Sequence, residues 1–384
     1  MLQKQLSVII PNYNYAHLLE RRINSIINQT VKPAEIIFLD DCSTDNSLEI
    51  AEQLLSQSPI PYKIFSNQNN QGIFKQWLKG IELAQYDYFW IAETDDYCEL
   101  NFIEELLPIF NDPAVVMAYC CSIFVTGDNY DKIYDIASKN NLFNTSRWNN
   151  DFIANAKEEV ETYYSVSNVS PNASAIIFNK KLLDFSPIKS EMNKFSRAGD
   201  WIFYILLLEQ NPGFKIAYSS QQLNFYYRHE QSAWMHSESL KDSRLLNESL
   251  LIYIHCLTHF NISVDTKHKI INLMANCLIN YQINTTTEKL INDISNFINM
   301  TLLILNLKEK HEIELIALEQ KNAHKNKQIE EQYTITALQL NESQLELNET
   351  KLELDRIKSS KGWRLLTLIR KVRAKIMAKF KFDK

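Results

Sequence analysis

The chain reads as an α/β protein: a doubly wound, mostly parallel sheet with helices on both faces, followed by a helical region. Three observations predict this. Short apolar runs recur through the first hundred residues: "LSVIIP", "AEIIFLDD", "PYKIFSN" and "YDYFWIAE". Helix-patterned segments of about ten or more residues separate them, the connection that parallel strands need. Beyond residue 238 the pattern is helical and free of glycine as far as residue 305.

Each element has its own signal. "LSVIIP" is a buried strand that Pro11 is expected to end. "AHLLERRINSIINQ" carries Leu18, Leu19, Ile23, Ile26 and Ile27 on one helical face. "STDNSLEIAEQLL" opens with Ser43 and Asp45, both candidate N-caps. "IFKQWLKGIELA" is the third helix. From 115 to 235 the chain is mixed and aromatic, with a strand in "NASAIIFN", a helix in "AGDWIFYILLLEQ" and a strand in "FKIAYSSQQLNFYYRHE". The run 306–358 is charged and ends in "LQLNESQ", "LELNETK", "LELDRIK", which predicts a long helix. Its two leucine stripes, Leu338/Leu345/Leu352 and Leu340/Leu347/Leu354, lie on nearly opposite sides. A coiled coil joining a second copy or a partner is expected there, with a single solvated helix as the alternative. The tail spaces Trp363, Leu366, Ile369, Val372, Ile376 and Phe380 as an amphipathic basic helix, suited to a membrane interface or to an acidic protein face. The expected divisions are 1–115 and 116–237, two halves of one domain, then 238–305, 306–358 and 359–384.

Composition excludes several classes. A chain of 384 residues, 45% hydrophobic, can bury a substantial core. No apolar run approaches the ~18 residues of a membrane span, and the N-terminus does not read as a secretory signal. The six cysteines show no C-x-x-C spacing, so reduced thiols are expected rather than a disulfide frame or a zinc site. Residues 361–384 hold nine Lys or Arg against one acid, a charge of +8 that leaves −14 for the rest of a chain whose net is −6. An acidic body with a basic tail argues against nucleic acid as a partner and for an anionic membrane surface. The expected location is cytoplasmic, at the inner face of the cell membrane.

Ligands of such sheets bind beyond the carboxyl ends of the strands. Those ends carry Pro11-Asn12-Tyr13-Asn14, Asp40-Asp41, Asn67 to Gly72, and Glu93 to Asp96. The turn "PNYNYAH" has no glycine, which excludes a dinucleotide fold, and no phosphate-binding G-x-x-x-x-G-K-[ST] occurs. Phosphates then need another device. Glu93, Asp95 and Asp96 put three carboxylates within four residues, where a Mg²⁺ or Mn²⁺ ion would relieve their repulsion and bind a diphosphate. The plainer alternative is a surface turn whose acids precede a helix.

"LSVIIPNYNYAHLLERRINSIINQTVKPAEIIFLDDCSTDNSLEIAEQL" resembles the opening of a family-2 glycosyltransferase, and "NQNNQGIFKQWLKGIELAQYDYFWIAETDD" resembles its continuation into a D-x-D type motif. The resemblance implies a GT-A fold, a nucleotide-sugar donor and a divalent cation. It implies that Pro11 and Tyr13 pack on the nucleobase, that Asp41 with Asp40 hydrogen-bonds uracil or thymine, and that Asn70 to Gly72 lie near the nucleotide. Asp95 and Asp96 match the metal motif; Glu93 stands where Asp is usual. "SRAGDWIFYILLLEQ" resembles the family's acidic motif before a helix, so Asp200 is the expected catalytic base, with a simple N-cap as the alternative. The motif is often Glu-Asp; here Gly199 replaces the first acid. "FYYRHEQSAW" implies Arg228 as a diphosphate contact and His229 as a metal ligand, and "NVSPNASAIIF" resembles an acceptor-side segment with Ser170 and Asn172. "KGWRLLTLIR" resembles the tail of some polysaccharide-assembly transferases. The expected activity is inverting transfer from a UDP- or dTDP-sugar to a hydroxyl of a glycan or lipid-linked acceptor in surface polysaccharide synthesis. Two rivals stand beside it: a sugar nucleotidylyltransferase, whose Gly-rich basic loop is absent, and a non-catalytic scaffold built on a degenerate domain.

Overall fold

The computed structural model describes residues 4–127, 131–133, 136–170, 172–228 and 243–282. The expected coiled coil, the basic tail and the end of the helical extension lie outside the described residues.

The strands are β1 (Leu6–Asn12), β2 (Glu35–Asp40), β3 (Tyr62–Ser66), β4 (Tyr88–Ile91), β5 (Tyr97–Cys98), β6 (Val115–Thr126), β7 (Asp131–Ile133), β8 (Phe152–Asn155), β9 (Ile176–Asn179) and β10 (Lys215–Arg228). The helices are α1 (Ala16–Ile27), α2 (Ser47–Ser56), α3 (Ile73–Leu83), α4 (Phe102–Leu106), α5 (Ile136–Phe143), α6 (Ala156–Glu159), α7 (Ser186–Met192), α8 (Gly199–Leu208), α9 (Ser243–His259) and α10 (Val264–Gln282). One sheet runs β3-β2-β1-β4-β9-β6-β10-β5, with β7 beside β6 and β8 beside β10.

The first four strands are parallel, as the alternation predicts. Every residue of β1 and β2 is buried, so both faces of this half are covered. Helix α3 approaches β1 closely at Gly80, where a Cβ would run into Ile9. The second half is mixed. Strand β9 runs antiparallel between β4 and β6, while β10 runs parallel to β6. The expected halves 1–115 and 116–237 therefore share one sheet.

Two local expectations change. Pro11 does not end β1, which continues to Asn12 opposite Asp40. Ile9 accepts the Ala92 N–H on the β4 side, and Pro11 faces the same side. Because β4 stops at Ile91, the missing proline N–H takes nothing from the ladder. Asn46 takes the cap position of α2 without a side-chain cap bond, and Asp45, one residue earlier, meets the first helical N–H instead. Ser43 ties a loop. Asp45 accepts the N–H groups of Ala16 (3.0 Å) and Ser47 (3.1 Å), joining the starts of α1 and α2. Ser43 accepts the Asn14 N–H at 2.9 Å.

An aromatic core joins the halves. Phe89 of β4 stacks on Phe178 of β9 at 4.8 Å, and Phe203 of α8 meets both Phe178 and Trp77 of α3 at 5.8 Å. Helix α8 is buried almost all round, which its continuous apolar sequence requires. Helix α9 packs on it: Tyr253 meets Trp201 edge-on at 5.4 Å, and His255 lies 2.8 Å from the Glu209 carboxylate. Helices α9 and α10 belong to the same compact unit as the sheet. Among the described residues no helix is long and apolar enough to cross a membrane.

Candidate active site

The carboxyl ends of β1, β2 and β4 meet at one edge; those of β2 and β4 carry acids, and that of β1 carries Asn12 and Asn14. Asp40 accepts from Asn12 Nδ2 at 3.1 Å and from the Ser43 N–H at 3.0 Å. Asp41 gathers the loop after β3. Its Oδ1 accepts from Asn67 Nδ2, the Gln71 N–H and Gln76 Nε2, each at 2.8 Å, and its Oδ2 from the Gly72 N–H at 2.8 Å. A carboxylate offers about four acceptor positions, so Asp41 is filled by the protein. The loop can turn back because Gly72 takes a φ of +88°, open only to glycine without strain. Asn14 and Cys42 also sit in the left-handed region, at φ 57° and 66°, where these loops leave the strands. Pro11 is buried, Asn70 is exposed, and Tyr13 stands 45% exposed at the rim.

The loop between β4 and β5 holds the acid cluster. Thr94 Oγ1 donates to the Pro11 carbonyl at 2.7 Å, and the Glu93 N–H donates to Ser174 Oγ at 3.0 Å. Pinned on both sides, the loop brings carboxylate oxygens of Glu93, Asp95 and Asp96 within 4.8 Å of one another. Asp96 is fully buried. It accepts from the Tyr227 N–H at 3.2 Å and from Asn172 Nδ2. Asn224 Nδ2 reaches Asn172 Oδ1 at 3.0 Å and Ser122 Oγ at 2.9 Å, extending a buried polar chain behind the acid. Burial, then Asp95, push the Asp96 carboxyl up to about 8. Burial and the neighbouring acids hold Glu93 well above the usual range too. These hard oxygen donors fit Mg²⁺ or Mn²⁺.

Two arginines of α1 stand by the cluster. Arg21 Nη2 donates to the Asp95 carbonyl at 2.9 Å, and its guanidinium lies 4.4 Å from the Tyr97 ring. Arg22 is buried with its guanidinium 4.8 Å over Trp90, and among the described residues its guanidinium nitrogens meet no oxygen or nitrogen acceptor. Burial lowers its pKa, and the field of Asp96, Asp95 and Glu93 works the other way.

Asp200 comes to the site on the first turn of α8. Its Oδ2 accepts from Asn168 Nδ2 at 2.8 Å and its Oδ1 from the Trp201 N–H at 2.8 Å. Burial pushes its carboxyl up to about 6. Its charge raises the pKa of Glu93, so the two acids share one electrostatic neighbourhood. The cap position of α8 belongs to Ala198, not Asp200. Gly199 has a steric reason, since a Cβ there would run into the Phe74 ring. Arg228 ends β10 with its guanidinium 3.8 Å over Phe124. His229 lies outside the described residues. Ser170 bonds the Tyr164 hydroxyl, and Asn172 turns toward Asp96.

Sequence reasoning missed Arg22, Asn168, Gln76 and Glu248. Arg22 had a signal: it falls three residues after Leu19 and four before Ile26, on the buried stripe of α1. The other three are polar residues inside ordinary patterns, with nothing to single them out.

The sheet with its acidic loop after β4 has the GT-A architecture. The solved structure of residues 1–349 of TarS from S. aureus, in complex with UDP-GlcNAc, superposes with a TM-score of 0.54 at 17% identity, covering 77% of this chain and 80% of that one. Residues 7–173 match the model of glycosyl transferase family 2. An uncharacterised glycosyltransferase of Nostoc is 36% identical over 135 residues, 35% of this chain and 41% of the relative. The cholesterol galactosyltransferase of Borreliella burgdorferi is 41% identical over 102 residues, 27% of this chain and 28% of that one. The chain thus spans less than half the length of these curated relatives.

Proposed function

We propose that the protein is an inverting glycosyltransferase that moves a sugar from a UDP- or dTDP-sugar to a hydroxyl of a glycan or lipid-linked acceptor. One observation carries this reading: carboxylate oxygens of Glu93, Asp95 and Asp96 lie within 4.8 Å of one another in the loop beyond β4. The UDP-GlcNAc bound by TarS supports a UDP-type donor. The names of relatives such as the chondroitin synthase of Pasteurella multocida support a glycan acceptor.

Each residue then has a task. Tyr13 offers an exposed ring to the nucleobase. Asp41 shapes the loop that includes Asn70 and Gly72, and Asp40 steadies the loop after β2. Asp95 and Asp96, with Glu93, hold a divalent cation, which supplies positive charge to the departing diphosphate when bound. Arg228 adds a fixed cation on the diphosphate side. Asp200 takes the proton from the acceptor hydroxyl as its oxygen attacks the anomeric carbon and the bond to the diphosphate breaks. A carboxylate with a pKa of about 6 is ionised at neutral pH and basic enough for this task. The basic tail and the heptad segment would bring the enzyme to a lipid-linked acceptor at the membrane in surface polysaccharide synthesis.

The test is a panel of nucleotide sugars with the full chain, with and without Mn²⁺, reading nucleoside diphosphate release on adding acceptor glycans. Asp200→Asn should lose about 10²- to 10⁴-fold in kcat while UDP binding persists. An Asp200→Asn protein that transfers at the native rate sinks this reading.

A further inference from the structure

Glu248 is a buried acid far along the chain, on α9, beyond the segment that matches the family. Its Oε1 accepts the Ser196 N–H at 2.8 Å and Ser196 Oγ at 2.9 Å. Its Oε2 accepts the Arg197 N–H at 2.8 Å and the Ala198 N–H at 2.7 Å. One carboxylate therefore collects three successive backbone N–H groups at the residues that lead into α8. Asp200 follows two residues later.

We propose that Glu248 is a positioning residue for Asp200, so that the helical pair beyond the family segment sets where the base stands. The inference rests on the reading of Asp200 as base. Three physical points carry it. The N–H groups entering a helix have no partner within it, and a carboxylate there also meets the positive end of the helix dipole. The Asp200 oxygens accept from Asn168 Nδ2 and from the adjacent Trp201 N–H, so its backbone decides where its oxygens point. Glycine at 199 adds no side chain to stiffen that backbone, and Phe74 leaves no space for one. The remaining restraint comes from outside, through Glu248. Tyr253 and His255, on the same helix, brace Trp201 and Glu209 at either end of α8. The acid absent at position 199 is thus answered by one from a different element, acting through the main chain.

The experiment uses the full chain with Glu248→Gln, Glu248→Asp and Asp200→Asn. The Gln variant turns an amide NH₂ toward backbone donors; the Asp variant keeps the charge on a shorter arm. Each is assayed for kcat, donor KM, UDP binding, melting temperature, and hydrogen exchange at the amides of 196–198. A displaced base costs up to about 10²-fold in rate. The expected result is a kcat lowered about tenfold or more in Gln and less in Asp, faster exchange at 196–198, and donor KM and UDP binding within about twofold of native. Native kcat in a folded Glu248→Gln protein overturns the proposal, as does a loss of UDP binding in step with kcat. Should the Gln variant fail to fold, the Asp variant decides by the same split between kcat and KM. Transfer that survives in Asp200→Asn overturns the base itself, whereas collapse in Asp200→Asn with both Glu248 variants normal overturns only the positioning role.

Discussion

Asp41 and the Glu93–Asp96 cluster sit at the ends of strands that flank β1, yet they treat charge in opposite ways. Asp41 is surrounded by N–H donors from Asn67, Gln71, Gly72 and Gln76. The cluster has acids facing acids, and Asp96 is held neutral up to a pKa of about 8 by burial and by Asp95. The difference teaches how the same side chain can build or bind. A carboxylate with its acceptor positions filled fixes a loop. Carboxylates crowded beyond what their donors offset keep a mutual repulsion that the proposed cation would relieve.

The sharpest way to break this contrast is Asp96→Ala. Cation affinity, read by Mn²⁺ titration, should fall by at least about 100-fold, and transfer should fall with it, because an inner oxygen and its Asn172 support go together. Asn172→Ala leaves the acid but removes its support, so cation affinity should drop about tenfold. Asp41→Asn should act on the other side of the contrast. It replaces an acceptor-only group with one that carries its own donors, so thermal unfolding should register a loss of about 2 kcal/mol. Donor KM should rise while Mn²⁺ affinity stays native. The smallest effect concerns pH. Asp200 must be ionised to act, so kcat at saturating donor should fall as pH drops through about 6. Its folded pKa is raised above the usual carboxylate value, so the neutral form favours folding. That contribution is present at low pH and lost as pH rises through about 6. Asp200→Asn should therefore melt no lower than native at pH 8, and its advantage should shrink toward pH 4.

The first hundred residues were legible because their signals are local. Two of the apolar runs end in acids, helical spacing separates the runs, and the sheet brings their ends to one edge. Glu93, Asp95 and Asp96 could be grouped from sequence because one loop carries all three. The supports of Asp200 could not. Asn168 and Glu248 come from separate elements, one before and one well after the helix they serve, and no spacing rule links them. Arg22 was hidden differently, since a charged residue on an apolar stripe reads as a solvated neighbour until the packing over Trp90 is seen. The mixed second half of the sheet escaped for a related reason. Its strands pair across long separations, as β9 does with β4, and pattern alone does not give their direction.

Phe74 opens α3 just past the glycine of the Asp41 loop, and its ring fills the room a side chain at 199 would need. Substitutions at the two positions are consequently not independent. A side chain at 199 would fit only once residue 74 had been made smaller or its ring turned aside.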